Sequence, residues 1–349
     1  MEEINMSKFK FSVGPWNVHE GADAYGPATR AAIPFEEKIK KFKEMGFDAI
    51  QFHDDDAVPD LNNLTEEEII AEAKQLKALL DKYDLKAEFV APRLWMDPHT
   101  IDGGFVSNSE EDREFAMWRA YRSIDIANAL GCDKIVLWLA REGTLCYESK
   151  SPVESTKKLV DAINKMLDYD KNIKIMIETK PNEPIDRSVC PTMGHCMAVS
   201  AATKDPSRVG GLLESAHAML AGLDPASEIG FAMAMGKLWG VHLNDQNGMK
   251  YDQDKSFGVE NLRTAFNQVK VLVENNFGAN GEYVGLDVKA MRTQSLENSY
   301  QHLENSLKIF KMLEKKAEQF DYDYQKKCVE ERDYEKLELY VMELLMGQV

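Results

Sequence analysis

Short apolar runs alternate with longer amphipathic runs along most of the chain. The short runs are rich in Val, Ile and Phe, which favours buried β-strands. The predicted strands are residues 9–13, 49–52, 87–91, 134–139, 173–177, 209–213, 238–243 and 283–286. Their spacing leaves room for a helix after each strand, which is typical of a parallel sheet with helical crossover connections.

Each predicted strand is followed by an amphipathic run that predicts a helix. The start at Thr65 is the clearest, because a threonine N-cap is followed by three acidic residues in the first turn. The predicted helices are residues 34–45, 65–83, 109–130, 152–167, 193–203, 225–235, 259–275 and 294–316. A strand followed by a helix, repeated eight times, predicts an α/β fold of the (β/α)8 TIM-barrel type.

The residues beyond the last predicted barrel helix have a different character. They are highly charged, with two apolar patches between residues 334 and 345. We therefore expect a barrel domain over residues 1–316 and a short C-terminal helical arm over residues 317–349. The arm is expected to pack on the barrel or on a neighbouring subunit.

Composition narrows the possible partners and the compartment. The chain has 349 residues and a formal charge of −17, which argues against binding to nucleic acid or to an anionic membrane. Five cysteines without a CxxC motif indicate neither a disulfide framework nor a zinc cluster. The first residues lack an apolar targeting segment, and no apolar run is long enough to span a membrane. We therefore expect a cytoplasmic protein.

Acidic and imidazole side chains recur at the predicted strand ends, where barrels of this type carry their functional residues. They are His53, Asp56, Glu178, Glu214, His217, His242, Asp252, Asp254 and Asp287. Taken singly, each has an ordinary explanation, such as a surface cap or a hydrogen-bonded core histidine. Taken together they favour a metal site, because carboxylates that share a pocket need positive charge to compensate them. Oxygen-rich ligation with one or two imidazoles suits Mg²⁺, Mn²⁺ or Co²⁺.

Several motifs occur in a characteristic order along the chain. They are Phe52-His53-Asp54-Asp55-Asp56, Asp102-Gly103-Gly104-Phe105, Ser107-Asn108, Val136-Leu137-Trp138, Arg141-Glu142-Gly143, Ile177-Glu178, Lys180-Pro181-Asn182-Glu183-Pro184, Pro191-Thr192, Gly194-His195, Lys250 and Asp252-Gln253-Asp254. In this order they resemble the xylose isomerase family, in its shorter, actinobacterial-like type. The motifs that begin at Lys180 and at Asp252 are the most specific of them.

The resemblance implies a metal-dependent aldose–ketose isomerase that acts on a small sugar. In this family a hydride shifts between C1 and C2, as in the conversion of D-xylose to D-xylulose or of D-glucose to D-fructose, and two divalent cations per subunit assist it. By the resemblance, Glu178, Glu214 and Asp287 hold the first cation. Glu214 also bridges to the second cation, whose other ligands are His217, Asp252 and Asp254.

The resemblance also implies roles for residues that touch the sugar. His53 and Asp56 match the pair that assists opening of the sugar ring, and Lys180 matches the ammonium group that binds the substrate carbonyl oxygen. Trp16 and Trp138 match aromatic walls of the pocket.

The chain departs from the family pattern at the end of the seventh strand. The fourth ligand of the first cation is an aspartate in the family, and His242 stands there in this chain. Related sugar epimerases and rhamnose-type isomerases carry a histidine at this strand end. We therefore expect the cation to be kept, with a preference for Mn²⁺ or Co²⁺ over Mg²⁺.

Other departures concern the substrate pocket. Ala91-Pro92-Arg93-Leu94-Trp95 replaces a Thr-Thr-Asn-Leu-Phe motif, which removes a hydroxyl group and brings the larger ring of Trp95 to the wall. Tyr25 stands where the family has an aromatic residue lent by a neighbouring subunit, so a homo-oligomer, either a dimer or a tetramer, is expected.

Two functional hypotheses follow. The first is an aldose–ketose isomerase that acts on xylose, glucose or a relative. The second is a xylose-isomerase-like barrel that uses proton transfer instead, as a sugar epimerase or as a lyase acting on an oxidised sugar or a glycoside. A sugar-binding protein without activity is disfavoured, because His53, Lys180 and both sets of metal ligands are retained.

Overall fold

Eight parallel strands close into a barrel in the computed structural model of this chain, which describes residues 7–348. The strands are β1 Phe11–Val13, β2 Ala49–His53, β3 Lys86–Ala91, β4 Lys134–Trp138, β5 Lys174–Glu178, β6 Val209–Glu214, β7 Leu238–Leu243 and β8 Val284–Leu286. Each strand pairs with its neighbours in the sequence, and β8 pairs with β1 to close the barrel. The predicted (β/α)8 fold is confirmed, and every predicted strand is present within two residues of its expected bounds.

A helix follows each strand on the outside of the barrel. These helices are α1 Phe35–Met45, α2 Glu66–Lys82, α3 Glu110–Leu130, α4 Pro152–Tyr169, α5 Met193–Ala202, α6 Pro225–Ala234, α7 Leu262–Glu274 and α8 Gln301–Glu318. The N-cap at Thr65 forms as predicted, because its side chain accepts the backbone N–H of Glu68 while the Glu68 carboxylate accepts the backbone N–H of Thr65.

Helix α8 begins at Gln301, several residues later than the sequence pattern predicts. The reason is the buried Arg30 guanidinium, whose Nη1 donates to the backbone oxygens of Met291 and Gln294, both at 2.9 Å. Carbonyls that bond to this side chain are drawn out of a helical hydrogen-bond pattern. Arg30 thereby ties the loop after β1 to the loop after β8.

Two short helices at the carboxyl end of the barrel are absent from the sequence prediction. Asp54–Ala57 follows β2 directly, and Ser215–Leu220 follows β6. The first is tied to α3 by a buried ion pair, in which Arg119 Nε and Nη2 contact the two carboxylate oxygens of Asp54 at 2.7 and 2.9 Å. Each short helix holds the residues that follow its strand close to the barrel mouth.

Apolar side chains fill the centre of the barrel below the mouth. Phe89, Val136, Met176 and Leu212 are buried there and belong to one cluster. The larger core lies between the strands and the outer helices. The polar side chains lie above this apolar layer, at the open carboxyl end of the strands, as in other barrels of this type.

The C-terminal arm is helical, as the charge and apolar pattern predicts. It consists of α9 Tyr322–Glu331 and α10 Tyr334–Met346. Val341 and Leu344 of α10 are buried, and the rings of Phe320 and Tyr340 lie 5.4 Å apart. Among residues 7–348, no helix combines the length and the apolar character that crossing a membrane requires.

Glu142 joins two loops at the barrel mouth. Its Oε1 accepts the backbone N–H groups of Gly104 and Phe105, and its Oε2 accepts that of Val106, all at 2.9 Å. The carboxylate is 2% exposed, so water cannot replace these bonds. The Arg-Glu-Gly and Asp-Gly-Gly-Phe motifs therefore meet in a structural contact between the loops after β3 and β4.

We predict that Glu142→Gln destabilises the fold by about 1–3 kcal/mol, because its amide nitrogen would face the N–H of Val106 without an acceptor. Denaturant unfolding measures the change, with Glu330→Gln at an exposed position as the control. Equal stability of the two variants would show that the three hydrogen bonds contribute little.

Candidate metal centre

Four side chains from four consecutive strands form the first ligand cluster. Glu178 ends β5, Glu214 ends β6, His242 lies one residue before the end of β7, and Asp287 follows β8. Because β6 and β7 pair with Glu214 opposite His242, the two side chains start from the same level of the barrel. One ligand atom from each of the four lies within 4.8 Å of the others.

His242 lies at the centre of the first cluster. Its Nδ1 is 3.3 Å from Glu178 Oε1, 3.7 Å from Glu214 Oε2 and 3.8 Å from Asp287 Oδ2. The imidazole is almost fully buried. The position that departs from the xylose isomerase pattern thus faces the carboxylates, as a ligand would.

A second cluster shares Glu214 with the first. His217 Nε2 lies 3.0 Å from Asp252 Oδ2 and 3.2 Å from Glu214 Oε1. The short helix that starts directly after Glu214 turns His217 back toward that carboxylate, since residues three apart share one face of a helix. The three side chains form the second group with ligand atoms within 4.8 Å of one another.

Asp254 lies outside both clusters, although the resemblance predicts it as a ligand of the second cation. Its Oδ1 accepts a hydrogen bond from Asn244 Nδ2 at 2.9 Å, and its Oδ2 pairs with the ammonium of Lys289. The residue has a left-handed backbone with φ 46°, and it lines the cavity. Asn244 Nδ2 also donates to Glu214 Oε1, which keeps the Asp254 carboxylate beside the shared ligand. Its role as a ligand of the second cation stays a prediction.

The donor atoms fit divalent cations. Asp252 Oδ1 is buried and accepts no hydrogen bond from any described residue, so the cluster has an oxygen available as a ligand. Carboxylates and imidazoles together suit Mn²⁺, Co²⁺ or Mg²⁺. The sulfur-rich set that a structural zinc site requires is not found near these side chains in residues 7–348.

Burial and neighbouring charges set the pKa values of the two cluster glutamates, Glu178 and Glu214. Burial alone would raise the pKa of Glu178, but the charges of His242 and His217 lower it to about 2. Burial raises the pKa of Glu214 to about 7, a rise that His217 opposes and Asp252 strengthens. Glu214 and the imidazoles therefore hold protons that a cation would displace.

Aromatic side chains form the walls of the cavity around the clusters, which has a volume of about 350 Å³. The rings of Trp95 and Trp138 lie 4.5 Å apart, edge to face, and Trp16 Nε1 donates to Asp287 Oδ1 at 2.9 Å. All three predicted tryptophans line the cavity. Tyr25 does not line it and is 95% exposed, so its contribution to a neighbouring subunit stays a prediction.

His53 lines the cavity and contacts Asp56, which lies behind it. His53 Nδ1 is 2.8 Å from Asp56 Oδ2, as expected for a base and the group that orients it. Arg93 Nη2 lies equally close to Nδ1 and also contacts Asp56 Oδ1 at 3.3 Å. Arg93 departs from the xylose isomerase pattern, but its contact with His53 was not predicted from the sequence. Its position directly after β3 was the available signal.

Two lysines bring positive charge to the second cluster. Lys180 Nζ donates to Asp252 Oδ2 at 2.9 Å and lies 5.0 Å from the ring centre of Trp138. Lys289 was missed as a functional residue, although it follows the ligand Asp287 by two positions. It lines the cavity, and Asp254, Asp252 and Asp287 raise its pKa against the opposing effect of burial. Both ammonium groups partly balance the acidic site.

Comparison with known proteins gives one family match. The family described as "Xylose isomerase-like TIM barrel" matches residues 39–275 of this chain. That range includes six of the eight barrel strands and most of the candidate ligands, but not β1, β8 or Asp287.

Solved structures with the same fold include three sugar-modifying proteins. A D-tagatose 3-epimerase-like protein is 16% identical, with a TM-score of 0.63, over 88% of this chain and 99% of that chain. D-Psicose 3-epimerase from Clostridium cellulolyticum H10 is 13% identical, with a TM-score of 0.59, over 89% and 97%. The 3-keto-D-glucoside 4-epimerase from E. coli is 15% identical, with a TM-score of 0.59, over 87% and 100%. Identities this low establish the shared fold alone.

We predict that the protein binds two divalent cations per chain and that single substitutions remove them selectively. His242→Ala should lose the first cation, His217→Ala the second, and Glu214→Ala both, because Glu214 belongs to both clusters. Metal analysis after dialysis against Mn²⁺ measures the stoichiometry, with the exposed His99→Ala as the control. Two cations in His242→Ala would remove His242 from the ligand set.

We also predict that cation binding releases protons and tightens as the pH rises from about 6 to 8. Glu214, with a pKa of about 7, and His242, whose pKa burial lowers but Glu178 raises well above the usual range, hold protons in this interval. Both must give them up to become ligands. Calorimetric titration with Mn²⁺ in two buffers of different ionisation enthalpy measures the release; equal apparent enthalpies would contradict it.

Proposed function

The chain belongs to the xylose isomerase-like TIM barrel family, and we propose that it is a metal-dependent sugar isomerase that interconverts an aldose and a ketose. The observation that carries the proposal is the pair of ligand clusters that share Glu214, with the ammonium of Lys180 beside the second cluster. Two adjacent cation sites, with the Lys180 ammonium as a positively charged hydrogen-bond donor, suit a substrate with neighbouring carbonyl and hydroxyl oxygens. We propose D-xylose or D-glucose as the aldose.

Two cations bound by these clusters would polarise the carbonyl and hydroxyl oxygens of an open-chain sugar. Lys180 contributes a further positive charge. Its Nζ carries three hydrogens, and the contact with Asp252 uses one of them, so it can also donate to the carbonyl oxygen of the sugar. The Trp138 ring beside the ammonium keeps that side of the cavity apolar.

His53 is the candidate for opening the sugar ring. In this role Nδ1 would carry the ring hydrogen and donate it to Asp56 Oδ2, while Arg93 Nη2 donates to Asp56 Oδ1 instead of to Nδ1. Nε2 would then accept the proton of the ring hydroxyl. Trp16 and Trp95 pack against the imidazole, with ring centres 4.3 and 5.1 Å away, and fix its orientation. His53 is held by these contacts outside both ligand clusters.

The apolar walls favour hydride transfer over exchange with solvent. Trp16, Trp95, Trp138 and Phe89 surround the same cavity as the ligands. A hydride that moves directly from C2 to C1 needs a region without a nearby base or water, and aromatic rings supply one.

A second candidate function is epimerisation, or elimination by a lyase, through proton transfer at a carbon next to a carbonyl group. His242 favours it, because this residue departs from the xylose isomerase pattern toward that of related epimerases. Its proximity to Glu178, Glu214 and Asp287 also suits a single-cation centre formed by the first cluster alone. The two functions differ in the fate of the hydrogen that leaves the substrate carbon.

We predict that the Mn²⁺-loaded protein converts C2-deuterated xylose or glucose to a ketose that keeps the deuterium at C1. Hydride shift retains the label because the hydrogen never reaches water. Mass spectrometry and proton NMR of the product measure the retained fraction. The matched control is unlabelled sugar in D₂O, for which no deuterium should enter the product.

Loss of the label to water, or turnover of ketoses and oxidised sugars but of no free aldose, would contradict the isomerase proposal. The same panel of sugars would then identify the proton-transfer reaction. The Lys180→Met variant adds a further check: if its metal content is unchanged, its kcat should fall by about 10²–10³, as when one electrostatic donor is lost.

A further inference from the structure

Arg93, in the loop after β3, contacts the whole first turn of the short helix that follows β2. Its backbone N–H donates to Asp54 Oδ1 at 3.1 Å, its Nε donates to Asp55 Oδ1 at 2.6 Å, and its Nη2 lies 3.3 Å from Asp56 Oδ1. Three consecutive aspartates therefore each contact a different nitrogen of one residue. These contacts fix the short helix, with His53 as its N-cap, relative to the loop after β3.

The same contacts determine where the ring hydrogen of neutral His53 lies. Its Nδ1 has two neighbours at 2.8 Å, Asp56 Oδ2 and Arg93 Nη2. An ionised carboxylate can only accept, so its contact with the ring needs a hydrogen on Nδ1; otherwise two lone pairs would face each other. The guanidinium has a second acceptor, Asp56 Oδ1, to which it can donate instead. With the hydrogen on Nδ1, His53 presents the lone pair of Nε2 to the cavity.

This arrangement requires that Asp56 is ionised, and Arg93 favours that form. Burial alone would raise the pKa of Asp56, but the hydrogen bond from His53 and the charges of His53 and Arg93 lower it. Lys38 on α1 adds a further positive charge in the neighbourhood of the carboxylate. Arg93 contacts Oδ1 while His53 contacts Oδ2, so the two oxygens have separate partners.

The guanidinium group suits this place better than an ammonium group. Its planar fork contacts Asp55 and Asp56 at the same time, which a single ammonium nitrogen cannot do with the same geometry. The carbon at the centre of the fork lies 5.3 Å from the ring centre of Trp95, and the same ring packs against His53. Arg93, Trp95 and His53 thus form one contiguous wall of the cavity.

We propose that Arg93 is a positioning residue of the ring-opening pair: it acts through Asp56, which it holds so that Oδ2 accepts the Nδ1 hydrogen and Nε2 of His53 faces the sugar as a base. The proposal rests on the proposed isomerase function and concerns the same cavity. It assigns a role to a residue at which the chain departs from the xylose isomerase motif, where an asparagine stands.

The first test uses NMR and needs no turnover. In the Mg²⁺-loaded protein labelled with ¹⁵N-histidine, long-range ¹H–¹⁵N correlations should place the hydrogen of neutral His53 on Nδ1. With ¹³C-labelled aspartate, the Asp56 carboxyl should titrate at a higher pH in Arg93→Met than in the wild type, because a nearby positive charge is lost. Spectra of His53→Asn and Asp56→Asn assign the two signals.

Two further variants accompany this test. Arg141→Met is the matched control, because Arg141 also binds the loop after β3, through the backbone oxygen of Trp95 at 3.0 Å, but its described hydrogen bonds do not include the three aspartates. It should leave the Asp56 titration unchanged. Arg93→Lys keeps one positive charge without the fork, so its Asp56 carboxyl should titrate between wild type and Arg93→Met. It replaces Arg93→Met if circular dichroism shows that the latter is unfolded.

The second test is a double-mutant cycle on kcat/KM for D-xylose. Arg93→Met should lower kcat/KM by about 10–100-fold with unchanged metal content, up to the lower end of what a positioned acid or base contributes. Because Arg93 acts through Asp56, adding Arg93→Met to Asp56→Asn should change kcat/KM by less than about twofold.

The possible outcomes are distinct. A hydrogen on Nε2 of neutral His53 in the wild type would overturn the proposal, because Arg93 would then donate to the ring itself. An unchanged Asp56 titration in Arg93→Met, or additive losses in the cycle, would overturn it as well. If the wild-type protein isomerised no aldose but both NMR results were as expected, the proposed reaction would fail and the positioning of His53 by Arg93 would stand.

Discussion

Charge compensation among buried acids is the constraint on which the barrel mouth depends. Glu178, Glu214 and Asp254 are buried and Asp252 is half-buried within one cavity, where ionised carboxylates repel one another strongly. Each nevertheless has a positive or hydrogen-bonding neighbour. Asp252 contacts Lys180 and His217, and Asp254 contacts Lys289 and Asn244. Glu178 and Glu214 depend mainly on imidazoles, and it is there that a divalent cation has most to contribute.

The fold around the mouth holds these groups at short distances. The parallel register sets Glu214 opposite His242, and a short helix returns His217 to the same carboxylate. Loops that would otherwise be free are tied together by buried polar contacts, such as those of Arg30 and Glu142. Arg30 ties the loop after β1 to the loop after β8, which begins next to Asp287, and Glu142 ties the loop after β3 to the loop after β4. Preorganisation of this kind is what keeps like charges together without the substrate.

Much of the fold was predictable because buried parallel strands leave a strong apolar signal, and polar residues directly after them share one end of the barrel. The same logic brought together Glu178, Glu214, His242 and Asp287, which do meet. It could not predict contacts that depend on loop geometry. Asp254, two positions from Asp252, has a left-handed backbone and pairs with Lys289, and its role as a ligand stays a prediction. The family resemblance was correct at the level of the xylose isomerase-like barrel, whereas the solved structures compared above include sugar epimerases.

The distribution of charge bears on the choice between hydride shift and proton transfer. Proton transfer at carbon needs a base that is neither a firm ligand nor part of an ion pair. Glu178 is a poor candidate, because His242 and His217 hold its pKa at about 2 although burial opposes this. Asp252 is paired with Lys180 and His217. His53 remains, but its Nδ1 is in contact with both Asp56 and Arg93, and aromatic rings flank it on two sides. Acids that contact ammonium groups and imidazoles, together with aromatic walls, support the proposed hydride shift over the removal of a proton. Glu214, whose pKa burial raises to about 7, belongs to both clusters, so a cation in either cluster would engage it as a ligand and not leave it free as a base.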